Sequence, residues 1–238
     1  MFKGKLASCS LLFLGLTCAG SAVQASSAKA EIKAISVQLI DLDTRDGITP
    51  ALTFASSGDV FSTYGVYNRF DTWEGAAYYY GTVIGGYDTG FAWTTVQPDN
   101  ISSEAMNWGE DSLATSSGSH TLRFNLTANT LAIFSAPTAM ATDRQGGGWG
   151  RSLATLYGSV NGDQTFYDQF AAPGGPMVYA GSGMLNGELH SGAGGASGEI
   201  RFTTEAFALS AVPEPGTWGM LLAGLGVLGA AARRQRHV

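Results

Sequence analysis

Apolar and polar residues alternate along much of this chain with a period of two. Ile35, Val37 and Leu39 alternate with Ser36 and Gln38. Leu122, Phe124 and Leu126 alternate with Thr121, Arg123 and Asn125, and Ile200 and Phe202 with Arg201 and Thr203. Such alternation sends successive side chains to opposite faces of an extended backbone, so it predicts half-buried β-strands. Further strands are predicted over 51–55, 59–67, 76–84, 89–96, 130–136, 152–160, 164–170 and 176–185. Turn residues separate them: Gly85-Gly86, Pro98-Asp99-Asn100, Asn129, Gly146-Gly147-Gly148, Asn161-Gly162 and Pro173-Gly174-Gly175. Leu122 to Phe134 reads as a hairpin centred on Ala128-Asn129, residues 192–198 as a flexible loop, and residues 26–31 as a loose leader. No stretch of the body keeps a helical face, and no repeat of fixed period is present. The pattern therefore predicts an all-β class, an antiparallel β-sandwich or jelly roll.

The two ends do not follow this pattern. Lys3 and Lys5 precede an apolar run centred on Leu11-Leu12-Phe13-Leu14, and Val23-Gln24-Ala25 then offers small residues at the positions read by signal peptidase. That order is a secretory signal peptide over residues 1–25, cleaved after Ala25. Cys9 and Cys18 both lie inside it, so the mature chain has no thiol for a disulfide, a nucleophile or a metal. At the other end, Trp218 to Ala232 is apolar and glycine-rich. As a helix it would rise about 22 Å against a hydrocarbon core of about 30 Å. Trp218 suits the outer interface, and Arg233, Arg234 and Arg236 suit the cytoplasmic side. A C-terminal transmembrane helix in this orientation leaves the body outside the inner membrane, in agreement with the signal peptide. The chain thus divides into the signal peptide, an ectodomain over 26–210 and a tail over 211–238.

Just before the apolar segment stands Val212-Pro213-Glu214-Pro215, followed by Gly216-Thr217-Trp218. Proline fixes its own backbone and disfavours helix in the residue before it, so this segment should be extended, as a strand-binding protease site requires. With the apolar helix and the arginines behind it, the stretch from about 211 to 236 resembles the PEP-CTERM sorting domain of Gram-negative bacteria. Val212, Pro213, Glu214, Pro215, Thr217 and Trp218 match the sorting motif, and Arg233, Arg234 and Arg236 its basic stop. The resemblance implies recognition by exosortase, removal of the tail and delivery to the cell surface, often alongside exopolysaccharide. A hydrophobic tail used as a temporary handle follows the logic of GPI-type processing. Asp41 to Pro50 and Leu126 to Pro137 also look like stretches found in other PEP-CTERM ectodomains.

Charge narrows the partners. Residues 26–212 hold eight basic and eighteen acidic residues, a net charge of −10, and no basic cluster lies outside the two ends. Such a body repels nucleic acid and anionic surfaces.

Two groups of residues suggest binding chemistry. Asp41, Asp43 and Asp46 precede Gly47, and oxygen ligands at near-alternate positions before a glycine turn suit calcium. The spacing is one residue longer than an EF-hand start, no closing glutamate follows, and Arg45 opposes a cation. The same aspartates serve as well in a strand-end turn, bonding to backbone amides. Aromatic residues crowd Tyr64 to Trp93, where Trp73, Tyr79 and Trp93 are candidates to stack on carbohydrate. Aromatics also favour strands and fill cores.

Catalysis has little support in the sequence. The body has two histidines, His120 and His190, and no recognised nucleophile or phosphate-binding motif. Glu104 and Glu110 are one of many possible carboxylate pairs. The expectation is a non-enzymatic surface or exopolysaccharide-matrix protein with a structural or adhesive role. The alternative is a carbohydrate-binding module, and the third reading a weak hydrolase on the same scaffold. Its processing partners are signal peptidase and exosortase, and it would pass through the inner membrane to the cell surface or extracellular matrix.

Overall fold

The structure, a computed structural model, describes residues 25–55, 59–68, 71–109, 112–144, 148–172, 178–210 and 222–228. The signal peptide expected before Ala25, the sorting motif at 212–218 and the arginines at 233–236 lie outside these residues. Fourteen strands are described: β1 (Ser26–Ile32), β2 (Ser36–Asp41), β3 (Leu52–Phe54), β4 (Asp59–Tyr67), β5 (Thr72–Ala77), β6 (Gly81–Tyr87), β7 (Gly90–Gln97), β8 (Asn100–Asn107), β9 (Leu113–Leu126), β10 (Thr130–Arg144), β11 (Trp149–Val160), β12 (Asp163–Ala171), β13 (Tyr179–His190) and β14 (Ala196–Leu209).

They form two seven-stranded sheets with antiparallel pairing throughout. One sheet runs β13-β10-β1-β8-β7-β6, with β2 also on β10. The other runs β12-β11-β14-β9-β4-β5, with β3 also on β9. β1 and β2 lie end to end along one side of β10, pairing with residues 138–144 and 130–135. β4 and β3 line β9 in the same way. The inner faces enclose the core, which settles the fold as a β-sandwich.

The core is graded. At one end large side chains fill the space between the sheets: Ile32, Phe134, Leu156, Leu185, Ile200 and Phe202 are all buried. At the other, the buried positions are small, with Ala28, Ala92, Ala105, Ala114, Ala206 and Ala208 around Val66. Where side chains are short, hydroxyls reach the opposite sheet. Ser103 Oγ donates to Thr204 O at 3.1 Å, Ser116 Oγ to Glu104 O at 3.0 Å, and Thr94 Oγ1 to Thr63 O at 2.9 Å. Each of these bonds satisfies a buried hydroxyl that would otherwise be costly.

Several sequence expectations are corrected. Residues 26–31 are no leader: they belong to β1, hydrogen-bonded on both sides by β8 and β10. Their inward residues, Ser26, Ala28 and Ala30, are too small to create an apolar contrast, yet they fit the narrow end of the sandwich. β8 lacked a predicted strand for the same reason, since it points Ser103, Ala105 and Asn107 inward. Leu122 to Phe134 is not a hairpin. β9 and β10 belong to different sheets, and Thr127 to Asn129, with Asn129 at φ 49°, carries the chain from one to the other. The strand expected over 76–84 is broken by a bend at 78–80 that also changes sheets. Residues 196–198 of the expected loop open β14. The Asn161-Gly162 turn is present as a two-residue hairpin loop with φ 53° and 91°, backbone angles that Asn and Gly tolerate best.

Of the expected transmembrane helix at 218–232, residues 222–228 are described and form a short helix. No helix among the described residues is long and apolar enough to cross a membrane.

Candidate functional site

The two ends of the ectodomain meet at one pole of the sandwich. β1 begins beside the end of β14, and Ser26 Oγ donates to Leu209 O at 2.9 Å. Ser210 is clamped next to it: its amide donates to Ser112 O at 3.1 Å, and its Oγ accepts from the Ser112 amide at 3.1 Å. Asn107, fully buried, donates through Nδ2 to the carbonyls of Ser112 and Ala208 and accepts from Ser112 Oγ at 2.5 Å. The fold is therefore locked up to Ser210, two residues before Val212.

The candidate calcium ligands occupy the opposite pole, and their oxygens face protein donors. Asp41 Oδ1 accepts from the Asp43 amide at 2.9 Å, and Asp43 Oδ1 from the Arg45 amide at 3.2 Å and Arg45 Nε at 3.4 Å. Asp46 Oδ1 accepts from the Ile48 amide at 2.7 Å, and its Oδ2 from Asn129 Nδ2 at 2.7 Å. The Asn129 amide, then the Ile48 N–H, hold the Asp46 carboxyl below its ordinary value. These are turn-capping bonds. Among the described residues no group of three His, Cys, Asp or Glu side chains is gathered as a metal would require.

The candidate carbohydrate residues do not form one platform. Trp73 lies at a sandwich edge, 48% exposed, and stacks on Tyr87 with ring centres 5.8 Å apart, joining β5 of one sheet to β6 of the other. Trp93 is on β7, where Ala92 and Thr94 point inward, so it faces outward beside Phe91, 5.4 Å away. Tyr79 stands exposed in the bend between β5 and β6. The neighbouring Tyr64 packs between the sheets, where Gly75 and Gly85 leave room for its ring.

His120 is buried at 2% exposure on β9, and Tyr80 Oη lies 2.7 Å from its Nε2. Burial pushes its pKa down, so the ring is neutral near pH 7. His190 is exposed at the end of β13. Glu104 faces Lys29 at 3.5 Å, while Glu110 lies outside the described residues.

The alternation pattern by itself did not reveal a groove of about 610 Å³ near the pole opposite the tail, lined by residues of β9, β11 and β14. Its wall residues Arg123, Asn125, Tyr157, Ser197 and Glu199 come from three strands far apart in sequence. The one local signal was that alternation turns Arg123 and Asn125 outward.

The region beyond Ser210 carries a recognisable motif. Residues 211–236 match the model of the PEP-CTERM protein-sorting motif. The chain carries a PEP-CTERM tail. The motif marks an extracellular protein sorted by exosortase, secreted and anchored at the membrane on its way towards the cell surface. Comparison with curated proteins and with solved structures gave no match. The PEP-CTERM match starts at the residue after Ser210, so the sorting tail and the locked sandwich abut without a long linker.

Proposed function

We propose that the mature protein is a non-enzymatic structural or adhesive component of the cell surface or its exopolysaccharide matrix. One observation carries this reading. Both ends of the ectodomain leave the sandwich at a single pole, with Ser26 bonded to Leu209 directly before the sorting tail. A body held at that pole presents the rest of its surface outward. β14 alone spans fourteen residues, about 45 Å from the tail root to the far pole. The body's net charge of −10 keeps it soluble and apart from anionic surfaces. The cysteine-free mature chain does not depend on the redox state of its surroundings.

The experiment is protease shaving and fractionation of intact cells, followed by mass analysis of the protein released into the matrix. Full-length protein held in the inner membrane would overturn the localisation. A deletion strain whose matrix keeps normal cohesion would overturn the structural role.

A further inference from the structure

We infer that the groove between β9, β14 and β11 binds a neutral polysaccharide chain. The inference rests on the surface-matrix reading and names a partner for it. Two backbone features lie along the groove. β11 carries an irregularity between Gly158 and Ser159, where its pairing with β12 shifts register. Across from it, Gly198 has no side chain, and the space a Cβ would take is already filled by Ser159 O and the ring of Phe124. The groove is lined there by Tyr157 and by the polar side chains of Arg123, Asn125, Asn161 and Glu199.

Two wall residues, Arg123 and Glu199, pair with charges beside the groove. Arg123 Nη2 bonds to Asp59 Oδ2 at 2.5 Å, and Arg201 Nη2 lies 3.4 Å from Glu199 Oε1. Arg201 also sits over the Tyr157 ring, 6.0 Å from its centre. Of these four, Arg123 and Glu199 line the groove, which therefore offers one cation and one carboxylate together. No hydrogen bond among the described residues engages the side-chain amides of Asn125 and Asn161, which leaves both available at the rim.

This chemistry selects one ligand class. A pyranose presents apolar C–H faces and an edge of hydroxyls that both donate and accept. The Tyr157 ring meets the first, and the Asn125 and Asn161 amides, the Arg123 guanidinium and the Glu199 carboxylate meet the second. A polyanion would meet Glu199 within a body of net charge −10 and is disfavoured. The groove also lies well placed on a tethered protein: Gly198 is eleven residues along β14 from Leu209, about 37 Å from the tail root.

The test uses mature protein recovered from the cell surface and an array of neutral glucan, mannan and galactan oligosaccharides, with uronic-acid oligosaccharides as the anionic comparison. Retention of a neutral oligosaccharide is expected. Tyr157→Ala and the isosteric Glu199→Gln should each weaken it about tenfold or more, a loss that one or two polar or stacking contacts explain. Trp73→Ala should leave it unchanged. Thermal melting of each variant separates lost contacts from lost folding, and Glu199→Gln keeps the test decisive if Tyr157→Ala unfolds. No retained neutral oligosaccharide, a preference for uronic acids, or binding lost with Trp73→Ala and kept in Glu199→Gln would each overturn the proposal. A surface-exposed protein that binds no glycan refutes the groove and spares the surface reading. A protein never released from the inner membrane refutes the surface reading whatever the array shows.

Discussion

Ser26 Oγ donates a hydrogen bond to Leu209 O across 183 residues of sequence. The bond joins the first residue after the expected signal cleavage to the last strand before the sorting tail. Cleavage after Ala25 would leave β1 whole at the mature N-terminus, with its seven residues paired on both sides. Deleting 26–32 would open the centre of that sheet and strand the facing edges of β8 and β10. Loss of the cooperative melting transition is the expected result. A truncated protein that still melts cooperatively would show that β1 is dispensable.

His120 makes stability depend on pH. Its native pKa lies below the ordinary 6.5 because burial disfavours the imidazolium. Below that value the unfolded chain takes up a proton that the native ring resists, so stability falls as pH falls and is unaffected by this group at higher pH. Melting curves at pH 7.5 and 5.5 should show a drop for the wild type that is smaller in His120→Gln. Equal drops would assign the effect to other groups.

Tyr64 rests its ring against Gly85 across the sandwich, where a Cβ at 85 would lie inside the ring. Gly85→Ala must push the ring or separate the sheets, an overpacking that costs about 1–3 kcal/mol. The chemical denaturation midpoint should fall accordingly. Gly47→Ala, where nothing stands near the added carbon but φ is 73°, tests backbone strain apart from crowding.

Asp46 bonds to Asn129 and Ile48 and its pKa is lowered by them. Its contribution to stability is present above the ordinary carboxylate pKa of 3.8 and is lost as pH falls through the lower native value. Asp46→Ala should lower the melting temperature at neutral pH and less so near pH 3. Because one oxygen each of Asp41 and Asp43 and both of Asp46 already accept protein donors, saturating calcium should leave the wild-type melting temperature unchanged. A rise of several degrees would show that the turn rearranges around the ion.

Pro213 and Pro215 follow closely in sequence on the clamped Ser210, and proline disfavours helix in the residue before it. Replacing both by alanine should leave export intact and block removal of the tail. Mass analysis of the product should then find residues up to Val238 in cells that contain exosortase.

The sequence alone determined the class of fold and the address. Period-two alternation is a local property, so strands such as β4 and β11 and turns such as Asn161-Gly162 were readable where large residues alternate with polar ones. The sorting tail was readable because its recognition depends on contiguous residues. Tertiary structure decided what lies between. β1 and β8 turn small or polar residues inward and become strands because neighbouring strands of the same sheet pair with them on both sides. Tyr78 to Tyr80 bend because the chain changes sheets there. The meeting of Ser26 with Leu209 and the groove shared by Arg123, Tyr157 and Glu199 depend on strand order, which long-range pairing fixes and no local pattern encodes.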